Sequence, residues 1–154
     1  MRTYGRLIIV RRNTKRKEKE MIEENVKIVQ QMYLSFGQGD IPAVLNGLAD
    51  DIDWCQLGPE GIFPFAGPRR GKNEMMSYFQ ALGQALNIQV FEPREFIPHD
   101  DKVIVLGHEK GEAKPTGRKY EFDWIHVFTL RDGKIVQYRD YYDTAALVEA
   151  FRKE

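Results

Sequence analysis

The chain has 154 residues, 42% of them apolar and 30% charged, with a formal net charge of zero. That is the size of one ordinary domain, large enough to bury a core without covalent staples. The zero balance gives no overall field towards nucleic acid or a membrane surface. The single cysteine, Cys55, excludes an intrachain disulfide, and no apolar run approaches the length of a membrane span. Leu7-Ile8-Ile9-Val10 is too short for a secretory h-region and lacks a small-residue cleavage site. The reading is a cytoplasmic protein.

Charge is unevenly spread. Residues 1–20 hold eight Lys/Arg against Glu18 and Glu20, a net of +6, so the remainder carries −6. The run Arg11-Arg12-Asn13-Thr14-Lys15-Arg16-Lys17 reads as a solvated, disordered basic extension, with a nucleic-acid or membrane-surface arm as its rival. Met21 stands where the first orderly helix begins, and an initiator there is a second explanation. Residues 21–154 then form the single domain.

From Met21 on, Ile22, Val26, Val29, Tyr33 and Phe36 recur at helical spacing, which predicts a helix over 21–36, ended by Gly37 and Gly39. Asp40 caps a second, short helix whose apolar face is Ile41, Val44, Leu45 and Leu48. Ile52 to Leu57 reads as a short strand. Residues 58–71 are punctuated by Gly and Pro and read as a loop. Phe63 and Phe65 within it should fold over the core edge or a pocket mouth. A third helix at about 72–86 turns Met75, Met76, Phe79, Leu82 and Leu86 inward. Strands follow at 88–97, 102–112, 119–130 and 134–142, the last two joined by a tight turn at Asp132-Gly133. Asp143 and Thr144 offer caps for a last helix through Phe151.

This order predicts an α+β fold, an antiparallel sheet with helices on one side. Val103–Leu106 and Trp124–Phe128 are apolar at nearly every position. A sheet with one wet face should alternate, so a second cover is expected on the outer face, and a homodimer supplies it.

Tyr33-Leu34-Ser35-Phe36-Gly37-Gln38-Gly39-Asp40 followed by Leu48-Ala49-Asp50-Asp51-Ile52-Asp53-Trp54 resembles the opening of nuclear-transport-factor-2-like (NTF2-like) proteins. Gly67-Pro68-Arg69-Arg70-Gly71, Trp124-Ile125-His126-Val127-Phe128 and Asp132-Gly133-Lys134-Ile135-Val136 do the same. Tyr138-Arg139-Asp140-Tyr141-Tyr142-Asp143 is similar to the tail of SnoaL-like polyketide cyclases and of limonene epoxide hydrolase. The resemblance covers about residues 22–152. It implies a cone-shaped curved sheet wrapped around three N-terminal helices with a short C-terminal helix, an internal pocket for a small molecule, and pairing through the outer sheet face. The superfamily mixes isomerases, cyclases, hydrolases, dehydratases and carriers, so it does not choose a chemistry.

Asp140 matches the position of a catalytic aspartate in the epoxide hydrolase and of the acid/base aspartate of the cyclases. A carboxylate desolvated in an apolar cone suits proton transfer; the alternative is a salt bridge to Arg139 or Lys119. Period-two alternation puts Phe122, Trp124, His126 and Phe128 on one face, which the resemblance turns towards the pocket. His126 is then a hydrogen-bond donor or acid/base group, or a core histidine satisfied by Asp140 or a carbonyl. Glu109 falls near the second acid of the epoxide hydrolase, but Gly107 stands where that enzyme's arginine is expected; the alternative for Glu109 is an exposed strand-end charge. His108 faces the other way. Tyr33, Trp54, Gln56, Tyr78, Trp124 and Tyr142 are candidate wall residues, suited to gripping a flat ligand. Gln56 and Met32 replace two key groups of ketosteroid isomerase, which argues against steroid isomerisation.

His99, His108 and His126 lack ligand spacing, so no metal is expected, and no cofactor motif is present. The leading expectation is an acid/base enzyme (isomerase, cyclase or hydrolase type) on a hydrophobic or cyclic small molecule, with Asp140 and His126 central. A non-catalytic ligand carrier and a protein-interaction adaptor using the outer sheet face are the rivals. No nucleic acid is expected on the folded domain, and no membrane.

Overall fold

The structure is a computed structural model that describes residues 2–154, with side chains from Val10 onward. Four helices and six strands follow in the order α1 (Arg2–Gly37), α2 (Ile41–Asn46), β1 (Leu48–Gln56), β2 (Gly67–Arg70), α3 (Gly71–Ala85), β3 (Leu86–His99), β4 (Lys102–Ala113), β5 (Lys119–Arg131), β6 (Lys134–Tyr142) and α4 (Thr144–Phe151). The strands form one sheet in the order β2-β1-β6-β5-β4-β3. The fold is the expected α+β cone: a curved, unclosed sheet over the helices, with the short α4 at its end. No helix among the described residues is long and apolar enough to cross a membrane.

Local chemistry explains the element ends. The Asp40 carboxylate accepts from the Ala43 N–H and starts α2; Asp143 does the same for α4 through Ala146. Asp132 and Gly133 both have positive φ in the tight β5–β6 turn. Two register shifts along β3, at Ile88/Val90 and Pro93/Glu95, help bend the sheet.

Several expectations change. The helix expected to begin at Met21 begins at Arg2, and every residue from Val10 to Glu20 on it is exposed. The sheet is not wholly antiparallel: β1 runs parallel to β6, because the chain crosses the domain between them. The loop read at 58–71 contains β2, paired antiparallel to β1. On α3 the buried stripe is Met75, Tyr78, Leu82 and Ala85; Met76 is exposed, since it lies off the 3–4 spacing that runs through Tyr78. Phe63 and Phe65 are completely buried and pack on each other and on Phe151, so they close the core edge away from the cavity.

The core sits between the concave sheet face and α1, α2 and α3. Burial alternates along β4 and β5 despite their apolar sequences. Val103, Val105, Trp124, His126 and Phe128 point in. Ile125 points out and is 43% exposed, with Tyr141 exposed beside it on β6.

Candidate functional site

Inside the cone lies a cavity whose walls come from α1, α3 and the concave face of the sheet. Trp54 and Tyr138, neighbours across β1 and β6, stack at 3.6 Å on one side. Half-buried Phe36, Phe79, Phe91 and Ile88 form its outer end. The ring centroids of Phe36 and Phe91 are 5.3 Å apart, and those of Phe36 and Phe79 6.1 Å. The space open to the centre of a water molecule is only about 40 Å³. A ring-sized occupant therefore requires these side chains to move aside.

Asp140 and His126 are opposite each other in register on β6 and β5. His126 Nε2 lies 3.3 Å from Asp140 Oδ1, yet at an angle that makes no hydrogen bond, so Oδ1 is buried without a partner. The other ring nitrogen, Nδ1, is 2.8 Å from the Tyr33 hydroxyl on α1. A proton on Nε2 faces the carboxylate favourably, which leaves Nδ1 to accept from the Tyr33 O–H. Burial, reinforced by the Asp140 carboxylate, holds the Tyr33 phenol well above its ordinary pKa, so the hydroxyl keeps its proton and donates. Trp124 stacks on His126 at 3.8 Å and fixes the ring plane. Arg139 takes no part: it pairs with Asp53 at 2.9 Å.

Gln56 is the β1 neighbour of Asp140, and its Oε1 accepts from the Tyr78 hydroxyl at 2.7 Å. Tyr78 and Tyr138 are likewise pushed well above the usual tyrosine range by burial, with Asp140 adding to it. Trp54 Nε1 is a second lining atom that is buried with no protein partner. The site thus holds a buried, unpartnered acceptor, Asp140 Oδ1, and a buried, unpartnered donor, Trp54 Nε1, in apolar surroundings. Each costs about 1–3 kcal/mol while unsatisfied, and a polar ligand atom recovers that.

Of the residues singled out in the sequence, Tyr33, Trp54, Gln56, Tyr78, Glu109, His126 and Asp140 all line the cavity. Glu109 is 8% exposed, not the solvated strand-end charge that was its alternative. Trp124 lies behind His126. Tyr142 is outside the lining, packed on Phe122 with its hydroxyl donating to the Leu57 carbonyl. His108 is on the outer face between Asp123 and Glu121. Sequence reasoning missed Tyr138, Phe36, Phe79 and Phe91 as walls. Tyr138 and Asp140 share a face of β6 by period two, so that signal was available. Among the described residues, no three His, Cys, Asp or Glu gather as a metal site.

The cone, its curved sheet and a cavity between sheet and helices define an NTF2-like protein. The chain belongs to the SnoaL-like domain family, whose model matches residues 29–138. It is 31% identical over 111 residues to the PhzA/B-like protein PA3332 of Pseudomonas aeruginosa, a match spanning 66% of this chain and 78% of that one. An NTF2-like protein from Burkholderia xenovorans LB400 superposes with a TM-score of 0.77 at 34% identity, covering 85% of this chain and 98% of that one. TerC, co-crystallised with polyporic acid, superposes with a TM-score of 0.75 at 26% identity, covering 84% of this chain and 99% of that one.

Proposed function

We propose that the protein is an acid/base enzyme that binds a hydrophobic, cyclic small molecule in the cavity, with Asp140 as the base and His126 and Tyr33 as its support. One observation carries this reading: Asp140 Oδ1 is buried, unpartnered and beside a histidine whose far nitrogen is held by Tyr33. A carboxylate kept so needs a reason other than stability. Binding places a ligand proton against Oδ1. Asp140 takes it as general base, while His126, fixed by Tyr33 and Trp124, keeps that wall of the site in place. Trp54 Nε1 offers a hydrogen bond to a ligand acceptor. The aromatic walls favour a flat ring, and the similar fold of TerC was co-crystallised with a small molecule, polyporic acid.

The test starts from the ligand. Native mass spectrometry of the purified protein identifies what it carries, and turnover of that compound is followed. Asp140→Asn keeps size and hydrogen bonding but removes the base; turnover is expected to fall on the order of 10²-fold or more, with the fold retained. Normal turnover by the variant would sink the reading. Binding without turnover by either protein would leave the carrier function in its place.

We also propose that the chain pairs into a homodimer through the outer sheet face, where Ile97, Ile125 and Tyr141 are exposed.

A further inference from the structure

The basic run near the amino terminus takes no part in the cavity or its support. α1 is anchored by its carboxyl-terminal half, where Val29, Met32 and Tyr33 are buried. That packed half supplies the helix nucleus, so the helix extends back through the basic run, where a free segment so short and so charged would be marginal. Every residue from Val10 to Glu20 is exposed. At about 100° per residue, Arg11, Arg12, Lys15, Arg16 and Lys19 fall within one face about 140° wide and about 12 Å long. Lys17 lies on the opposite side.

This gathering of cations works against the helix that bears it. Arg11 with Lys15, Arg12 with Arg16, and Lys15 with Lys19 are like charges at i,i+4 spacing, and each pair is unfavourable. Glu20 offsets Arg16 at 3.4 Å and Glu23 offsets Lys19 at 3.8 Å. Arg11, Arg12 and Lys15 have no acidic partner among the described residues. A segment needed only for solubility would intersperse the two signs around its surface. A polyanion laid along the face removes the repulsion.

We propose that this face of α1 is a docking surface for double-stranded DNA, held chiefly through the phosphate backbone. An α-helix fits the major groove of DNA, about 12 Å wide, whereas the narrow major groove of duplex RNA does not admit one. Arg11 and Arg16, at the two margins of the face, then reach phosphates on either side of the groove. No apolar residue stands between Val10 and Met21, so the segment lacks the stripe by which a helix settles into a lipid surface. Residues 21–154, at −6 against the +6 of residues 1–20, repel the same phosphates and leave the contact to the basic face. The cavity of the domain plays no part in this binding.

The test uses the whole chain and a fluorescein-labelled DNA duplex of mixed sequence, followed by anisotropy. Affinity is expected to fall on the order of 10²- to 10³-fold between about 50 and about 200 mM salt, the dependence that about five neutralised phosphates produce. Lys15→Gln, on the face, should weaken binding on the order of tenfold at about 50 mM salt and lower the salt slope by about one. Lys17→Gln removes the same charge from the opposite side and is expected to leave both nearly unchanged. Equal losses in the two variants would overturn the proposal, as would a wild type that does not bind at the lower salt. Lys15→Arg keeps the charge and should bind as the wild type does; a loss there would also count against it. Vesicles of about one part phosphatidylserine to three parts phosphatidylcholine test the lipid surface. Tighter binding to them than to the duplex would overturn the proposal and assign the face to a membrane.

Discussion

Gly107 lies directly across from Trp124 between β4 and β5, and the indole occupies the space a β-carbon at 107 would need. The same indole stacks on His126, so the absence of a side chain at one strand position sets the plane of the site histidine on the next. Gly107→Ala is expected to destabilise the fold by about 1–3 kcal/mol through overpacking. It should also move the tryptophan fluorescence maximum. Urea denaturation that matches the wild type would show that the indole has room to shift.

Tyr33 supplies the hydrogen bond to His126 Nδ1. Tyr33→Phe keeps the ring among Phe91, Phe96 and Phe128 but leaves a buried imidazole nitrogen unpaired. The expected cost is about 1–3 kcal/mol, with a change in the His126 nitrogen-15 shifts as the tautomer is freed. Unchanged shifts would show that Tyr33 does not hold His126 Nδ1.

Glu109 gives the stability a defined pH dependence. Its folded pKa, about 7, lies above the ordinary 4.5, so the native state binds its proton more tightly than the unfolded chain. Its contribution is full below the ordinary value and is lost as pH rises through about 7, a total on the order of 3 kcal/mol. Denaturation at pH values near 5 and 8 should show Glu109→Gln gaining on the wild type at the higher pH. Equal gains at both would contradict this assignment.

Residues Val10–Glu20 are exposed along α1. A chain starting at Met21 is expected to keep its melting temperature and oligomeric state. A loss of several degrees would show that the amino-terminal segment adds packing.

Ile125 is 43% exposed at the centre of the outer sheet face, between Leu106 on β4 and Tyr141 on β6. Sedimentation equilibrium at micromolar concentration is expected to give twice the 18.0 kDa chain mass, and Ile125→Glu should return it to a single chain. A wild type found only as the single chain would defeat the dimer.

The sequence by itself determined the α+β class, the α2 and α4 caps, the Asp132-Gly133 turn and the grouping of Phe122, Trp124, His126 and Phe128 on one face of β5, because these follow from periods of two and 3.6 and from turn chemistry within a few residues; that this face is the inner one came from the family resemblance. The resemblance put Asp140 and His126 in the pocket, and the tight turn makes their strands neighbours, but the direct hydrogen bond expected between them is absent, because the carboxylate lies off the imidazole's donor direction. The sequence misjudged what depends on contacts distant along the chain. The stripe Met75, Tyr78, Leu82 and Ala85 and a stripe through Met76 and Phe79 both fit helical spacing, and the packing of α3 against the sheet buried the first. The parallel pairing of β1 with β6 joins segments more than 80 residues apart and leaves no local mark. Glu109 reads as a strand-end charge until the glycines on either side of it are seen to admit Trp124 and Tyr120 from the next strand. The tertiary structure decided its burial, because desolvation is a property of everything around a residue and not of its neighbours in sequence.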